Sequence, residues 1–240
     1  MSLIIDPTSM RLHAGCLLLA VLLLCAPAAS AENDEDASPP ATRASVESKP
    51  PASAAEEAAD APLATPTVEK LHAALLEIMR SADELGYQGR FDTLTPVVDQ
   101  TFDMPFMASK SVGRHWKTLP EADQQRWLEL FRTHIKANYA GQFTGYTGES
   151  FETLGEEPAI RDTRVVRTRL TRPGEDDVQL NYRLREVDGE WRIIDIYLNG
   201  TVSELALRRS EYSSVLKREG FEKLMSTIDE KVKELAKSTG

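Results

Sequence analysis

The chain has 240 residues, 41% of them hydrophobic, and a net charge of −10. Residues 32–66 carry eight acidic and two basic side chains, so they hold most of this charge, and residues 67–240 retain only −4. The charge therefore excludes no partner class for the domain, while 174 residues from 67 to 240 suffice for one core with a pocket.

The N-terminus has the layout of a secretory signal peptide. Arg11 precedes the apolar run Ala14–Ala28, and small residues follow at Ala29–Ala31. We predict cleavage after Ala31, because the run is too short for a membrane span. Both cysteines, Cys16 and Cys25, lie in this segment and neither has a lipoprotein context, so the mature protein is expected to lack thiol and disulfide chemistry.

Residues 32–66 are predicted to be an acidic spacer. They are rich in Ala, Pro, Glu and Ser, and their only larger aliphatic residues are Val46 and Leu63. Such a segment buries too little apolar surface to offset the entropy of ordering. The domain is accordingly assigned to residues 67–240.

The first half of the domain is predicted to be helical. Thr65-Pro66 opens a helix, and GYQG at 86–89 breaks it. The inner face of this helix is Val68, Leu71, Leu75, Ile78, Ala82 and Leu85. Short helices interrupted by Pro96, Pro105 and Gly113 are expected next.

A long helix follows, with Thr118-x-x-Glu121 as its capping box. GQFTGYTG at 141–148 closes it. Its inner face is expected to be Trp127, Leu130, Phe131, His134, Ile135 and Asn138.

The pattern then changes to period two. Residues 164–170, 177–185 and 191–198 are predicted strands, with a candidate fourth at 151–154. After Asn199-Gly200, the pair Thr201-x-x-Glu204 indicates another capped helix, and Gly220 separates it from a last one. Helices, a strand meander and helices again predict an α+β domain.

Asp195 is the unusual residue of the last strand, because it lies between two isoleucines. A two-residue turn at Asp188-Gly189 would place Asp195 opposite Tyr182, facing inward. One interpretation is an acid–base site of Asp195, Tyr182 and His134. The favoured interpretation is a scaffold carboxylate that accepts hydrogen bonds from Tyr182 or from a nearby helix end, with His134 as a core-edge histidine.

No metal site and no cofactor are predicted. His72, His115 and His134 lie on separate elements without ligand spacing, and no phosphate loop or nucleophile motif is present. An arginine strip on the outer sheet face is expected to be solvated, with docking of acidic partners or lipid head groups as the alternative and nucleic acid excluded. It consists of Arg167, Arg169, Arg183, Arg185 and Arg192.

The helical half also carries much flexible apolar material. DMPFM at 103–107 places Met104, Phe106 and Met107 around a proline. Core filling is one explanation, and a pocket for a hydrophobic ligand is the other.

The sequence resembles a known family over about residues 68–235. The stretch from Phe91 to Phe143 and the stretch from Trp191 to Leu224 are similar to the MlaC or toluene-tolerance family of periplasmic lipid-binding proteins, most of all to its hopanoid-associated HpnM subgroup. The most specific parts are W-x-x-x-D-x-x-x-x-G, here Trp191, Asp195 and Gly200, and the closing YSSVLKREGF at 212–221, although Thr201 interrupts the usual G-V-S. The acidic spacer lies outside the family pattern.

The resemblance implies an NTF2-like fold in which a curved antiparallel sheet and N- and C-terminal helices surround an apolar cavity. It also implies a periplasmic carrier that shuttles hopanoid or phospholipid between membranes, without metal or enzymatic chemistry. The implied partners are an inner-membrane transporter of RND or ABC type and an outer-membrane acceptor or donor, with transient membrane contact. Each lipid CH₂ kept from water is worth about 0.8 kcal/mol, so an apolar cavity suits this task.

From face and helix position we predict sixteen lipid-binding residues: Met104, Phe106, Met107, Val112, Trp116, Trp127, Phe131, Ile135, Tyr139, Val166, Leu180, Tyr182, Ile193, Tyr197, Val202 and Leu205. Two alternatives stay open. One is a periplasmic NTF2-like enzyme that acts on a hydrophobic substrate with the Asp195 and His134 pair. The other is a lipid-free adaptor that stabilises a membrane transporter.

Overall fold

The structure is a computed structural model, and it describes residues 63–238. The predicted signal peptide and residues 32–62 of the predicted spacer lie outside the described residues. The helices are α1 (Thr65–Arg80), α2 (Ala82–Thr101), α3 (Met104–Ser111), a 3₁₀ helix (Gly113–Thr118), α4 (Glu121–Gln142), α5 (Glu204–Glu219) and α6 (Phe221–Ser238). The strands are β1 (Ser150–Ala159), β2 (Thr163–Thr171), β3 (Val178–Val187), β4 (Glu190–Leu198) and β5 (Val202–Ser203).

Helix α2 continues past the proline that was predicted to interrupt it. Gly86, with φ +57°, has non-helical backbone and kinks α2 after its first turn, within the GYQG that was predicted to break the helix, whereas Pro96 lies inside the helix. The Thr95 hydroxyl donates to the Phe91 carbonyl at 2.9 Å, and Leu94 and Val98 are fully buried around the proline. Packing of this face thus outweighs the hydrogen bond that Pro96 cannot donate.

The predicted cap of α4 is wrong. Thr118 ends the 3₁₀ helix, where its hydroxyl donates to the His115 carbonyl at 2.8 Å, and Pro120 occupies the N-cap position of α4 without a side-chain cap. The inner face of α4 is nevertheless close to the prediction, since Trp127, Phe131 and His134 are all buried.

The sheet is antiparallel and curved, with its five strands in chain order. The candidate fourth strand is real and longer than expected, because β1 pairs with β2 over its whole length. Helix α1 packs on β1 and β4, and α4 packs against α2, α3 and α6, so the core lies between the sheet and the helices. The α+β prediction is confirmed.

The register around Asp195 differs from the prediction. The turn at Asp188-Gly189 sets the expected pairs, including Leu184 with Ile193, but the register then shifts between Arg183 and Leu184. Asp195 therefore stands opposite Arg183, not Tyr182. A β-bulge inserts one residue in one strand, and no turn signal in the sequence reveals it.

Asn199-Gly200 forms a tight turn. Its residues have φ +49° and +75°, and it returns the chain as β5 beside β4. Helix α5 begins only after β5, and its N-cap is Ser203, whose hydroxyl accepts from Ala206 N at 3.0 Å. The predicted helix is thus present, but Thr201 is not its cap.

No helix within residues 63–238 is long and apolar enough to cross a membrane.

Candidate functional site

Most of the predicted lipid-binding residues lie in the interior between the sheet and the helices. The buried members are Met104, Met107, Val112, Trp127, Phe131, Ile135, Val166, Leu180, Tyr182, Ile193 and Leu205. Four members are half-buried: Phe106, Trp116, Tyr139 and Tyr197. Val202 is 39% exposed, because β5 lies at the sheet edge, so it does not share this interior.

Trp127 belongs to the tightly packed part of that interior. Its indole Nε1 donates to the Ala108 carbonyl at 3.0 Å, and its ring packs edge-on against the Tyr212 ring, with the ring centroids 5.3 Å apart. Phe131 packs on it at 6.0 Å, and both side chains have no exposed surface. Such a satisfied cluster holds α3, α4 and α5 together.

Tyr139 marks a more open wall. Its ring stacks on Phe143 at 5.9 Å and packs against Phe102 at 5.8 Å, and we call these three residues the aromatic wall. Burial raises the pKa of the Tyr139 phenol, yet the side chain keeps accessible surface. A half-buried ring among aromatic neighbours is a candidate contact for an apolar ligand. Phe102 and Phe143 are not among the sequence-predicted residues, although Phe102 precedes DMPFM and Phe143 lies in the segment that closes α4.

A polar cluster lies beside this wall, formed by His134, Asn138, Glu204 and Arg208. His134 Nε2 lies 3.2 Å from Asn138 Nδ2 and 3.2 Å from Arg208 Nη1. Because both neighbours donate, Nε2 accepts and the proton resides on Nδ1. Burial, followed by the charges of Arg208 and Lys231, lowers the pKa of His134, so its ring is neutral near pH 7.

Two atoms of this polar cluster lack a hydrogen-bond partner among the described residues. They are His134 Nδ1, a donor, and Glu204 Oε1, an acceptor. Arg208 joins their side chains, since its Nη2 lies 3.9 Å from Glu204 Oε2. Unpaired buried polar atoms are uncommon, and here they could bond the polar part of an enclosed molecule.

Asp195 is a scaffold carboxylate. Its Oδ1 accepts from Ile196 N at 2.9 Å and from Leu205 N at 3.1 Å, and its Oδ2 accepts from the Ser203 hydroxyl at 2.6 Å. Asp195 thereby satisfies the first turn of α5. The expectation of hydrogen bonds from a helix end agrees with these contacts, whereas the expected bond from Tyr182 is absent.

Tyr182 pairs instead with a histidine of α1. Tyr182 Oη lies 3.0 Å from His72 Nε2, and the His72 ring stacks on Phe151 at 4.0 Å. Burial lowers the pKa of His72 to about 4. Within the described residues, no hydrogen bond joins Asp195, Tyr182 and His134, so the acid–base arrangement is not assembled.

The predicted arginine strip is occupied by partners. Arg169 Nη2 lies 2.6 Å from Glu152, and Arg183 donates to Thr163 Oγ1 at 3.0 Å. The other three pair with carboxylates as well: Arg167 with Glu157, Arg185 with Asp103 and Arg192 with Glu190. Within residues 63–238, four of the five arginines thus pair with carboxylates, while Arg183 donates to neutral oxygens, so the strip is not a free basic surface. No group of three metal-ligating side chains occurs within residues 63–238.

A helix-covered sheet with an aromatic and methionine-rich interior is the architecture of a domain that can enclose an apolar molecule. The family model described as MlaC protein matches residues 69–230. The chain therefore belongs to the MlaC family, as the sequence resemblance predicted, while the HpnM subgroup stays a prediction.

One solved structure shares the fold. It is a phospholipid-binding protein from Ralstonia solanacearum in complex with a phospholipid. The match has a TM-score of 0.61 and 24% sequence identity, and it covers 73% of this chain and 100% of that chain.

Proposed function

We propose that this protein is a periplasmic lipid carrier that encloses lipid tails between its sheet and its helices. The observation that carries the proposal is membership of the MlaC family across residues 69–230. The phospholipid bound by the Ralstonia solanacearum protein of the same fold supports it.

The interior has the properties that such a carrier needs. Met104 and Met107 are buried in α3, and methionine adapts its shape to irregular apolar contents. Each buried CH₂ of a tail gains about 0.8 kcal/mol relative to water. Adaptable packing would let the interior accept a tail without a single rigid shape, which helps release.

The aromatic wall is the proposed point of entry, because Tyr139 combines depth with accessible surface. The sixteen sequence-predicted residues stay part of the proposal, with the buried ones as tail contacts and Val202 at the rim. The polar cluster would then meet a polar group of the cargo, since His134 Nδ1 can donate and Glu204 Oε1 can accept.

The proposed cargo is a phospholipid or a hopanoid, in keeping with the resemblance to the HpnM subgroup. The proposed partners are an inner-membrane transporter of RND or ABC type and an outer-membrane acceptor or donor. A signal peptide cleaved after Ala31 would bring the protein to them.

An enzymatic role has little geometric support. Asp195 is committed to three hydrogen bonds at the start of α5, and His134 is neutral in a separate network. We propose that the protein performs no catalysis, and that Asp195→Asn keeps its bound lipid.

The test is native mass spectrometry of protein purified gently from the periplasm, followed by lipid extraction. We expect about one lipid per chain in the wild type, with the extract distinguishing phospholipid from hopanoid. Tyr139→Glu, which puts a charge on the aromatic wall, should lower the lipid content at least about tenfold. The control is Tyr146→Glu, at a 42% exposed tyrosine, which should retain the lipid. A wild-type protein without lipid would contradict the carrier proposal and favour the adaptor.

A further inference from the structure

A groove on the surface of the domain concentrates positive charge. It lies between the 3₁₀ helix and α5 and has a volume of about 550 Å³. We call it the basic groove, and it is lined by Arg114, His115, Ala206, Arg209, Ser210, Ser213, Ser214 and Lys217. No carboxylate is among these residues, although residues 67–240 as a whole are net acidic.

The cations of the basic groove are not neutralised. Within residues 63–238, no ion pair involves Arg114, Arg209 or Lys217. The sheet differs, because Arg164 and Arg169 there lie 2.7 Å and 2.6 Å from glutamates. Like charges that stay close without counter-charges favour an anionic ligand.

The backbone helps to position one of these cations. Gly113 has φ +57°, and a Cβ at this position would lie only 2.8 Å from Arg209 Nε. A side chain at residue 113 would displace the flexible Arg209 side chain, so glycine here lets the guanidinium lie against the 3₁₀ helix. Lys217 also offsets the dipole in the last turn of α5, but Arg114 and Arg209 have no such role.

The lining chemistry fits a phosphate group. Guanidinium groups bind phosphate oxygens through paired N–H donors, and the hydroxyls of Ser210, Ser213 and Ser214 can donate to the remaining oxygens. The groove is larger than inorganic phosphate needs, and it leaves room for the glycerol part of a head group.

We propose that the basic groove is the membrane-docking site of this protein and binds the phosphate of anionic phospholipid head groups. The inference rests on the proposed carrier function, since the proposed partners lie in membranes whose surfaces carry anionic head groups. Basic clusters near a bilayer are attracted to anionic lipids over about one Debye length. The basic groove would thus orient the domain on the membrane without itself holding the lipid tails.

The experiment is flotation of the full mature chain with vesicles of phosphatidylcholine, with or without phosphatidylglycerol. We expect binding only with phosphatidylglycerol, and weaker binding as salt is raised. Arg209→Glu/Lys217→Glu should weaken it at least about tenfold. The control, Lys223→Glu/Lys237→Glu, changes the net charge by the same amount at exposed positions of α6. It should keep at least half of the wild-type vesicle binding.

A second variant separates geometry from charge. Gly113→Ala leaves the net charge unchanged but displaces Arg209, so vesicle binding should weaken about threefold while circular dichroism shows a folded protein. Equal losses in the two charge-reversed variants would overturn the proposal, as would equal binding to both vesicle types. Vesicle binding unaffected by Arg209→Glu/Lys217→Glu, with loss of an acidic protein partner instead, would assign the groove to that partner.

Native mass spectrometry of the same variants keeps this proposal distinct from the carrier proposal. The Arg209→Glu/Lys217→Glu variant should retain bound lipid while losing vesicle binding. If neither the wild type nor any variant contains lipid, while the wild type still binds vesicles, the carrier function is contradicted. The basic groove then remains an anionic-lipid site.

Discussion

The N-terminal end and the outer face of helix α5 differ in whether their polar groups have hydrogen-bond or ion-pair partners. At its N-terminus, Asp195 accepts three hydrogen bonds, two of them from Ser203 and Leu205. On its outer face, Arg209 and Lys217 have no ion pair within the described residues. Satisfied polar groups hold a fold together, whereas unsatisfied ones are available to a ligand. Substitutions at the two kinds of site should therefore differ in their effect on stability.

The largest loss is expected at the inner end of α5. Asp195→Ala removes the acceptor of the buried Leu205 N–H and of the half-buried Ile196 N–H and Ser203 hydroxyl, so the free energy of unfolding should fall by about 3 kcal/mol. Asp195→Asn keeps one acceptor oxygen and should cost about 1–2 kcal/mol. Urea denaturation measures both. A loss below about 0.5 kcal/mol for Asp195→Ala would contradict the claim that the hydrogen bonds of Asp195 stabilise the fold.

The pair of His72 and Tyr182 should make stability depend on pH. The pKa of His72 falls from 6.5 in the unfolded chain to about 4 in the folded protein, because the ring is buried. The unfolded state therefore binds the proton more readily, and stability is full above pH 6.5 and decreases as the pH falls toward 4. The decrease from this residue amounts to about 3 kcal/mol at most, and the lowered pKa of His134 acts in the same direction.

Urea denaturation at several pH values measures this decrease. His72→Gln keeps a hydrogen bond to Tyr182 but cannot titrate, so its unfolding free energy should fall less between pH 6.5 and 4 than that of the wild type. An identical pH profile in the variant would show that His72 is not the responsible group.

A smaller loss is expected where the sheet anchors α1. Glu156 accepts from the backbone N–H groups of Ala64 and Thr65 at 3.1 and 2.9 Å, and it pairs with Arg164 at 2.7 Å. Glu156→Gln should lower the unfolding free energy by about 1–2 kcal/mol. The matched control is Glu157→Gln, at a 54% exposed side chain 3.9 Å from its arginine, with an effect below about 0.5 kcal/mol. Equal effects in thermal melts would contradict this account.

The smallest effect is expected in the basic groove. Arg209→Glu/Lys217→Glu breaks no ion pair seen among residues 63–238, so its unfolding free energy should stay within about 0.5 kcal/mol of the wild type. A loss above about 2 kcal/mol in urea would mean that these cations stabilise the fold, and the contrast across α5 would fail.

The strands were predictable because alternation of apolar and polar residues repeats over each of them. The strands β2, β3 and β4 lie within two residues of the predicted ends. The register at Asp195 was not predictable, because the bulge beside Arg183 and Leu184 depends on the packing of β4 and carries no local signal. The same holds for Pro96, whose effect on α2 was decided by tertiary burial.

The site was only partly predictable. Tyr139 and the buried methionines were found from their helical face, but periodicity does not distinguish a packed core residue such as Trp127 from an accessible wall. The arginine pattern did not indicate which arginines are paired. Arg169 was expected to be solvated and is paired with Glu152, whereas Arg209 was not singled out and has no ion pair within residues 63–238. Pairing depends on contacts between distant segments, which the sequence pattern does not show.

The carrier function is tested most directly by transfer of a fluorescent phospholipid from donor to acceptor vesicles. We predict that the transfer rate rises in proportion to the protein concentration. Tyr139→Glu should abolish this transfer, and Tyr146→Glu should preserve it. If the folded wild-type protein accelerates transfer of neither this phospholipid nor a labelled hopanoid, the proposal that this member of the MlaC family carries lipid is contradicted.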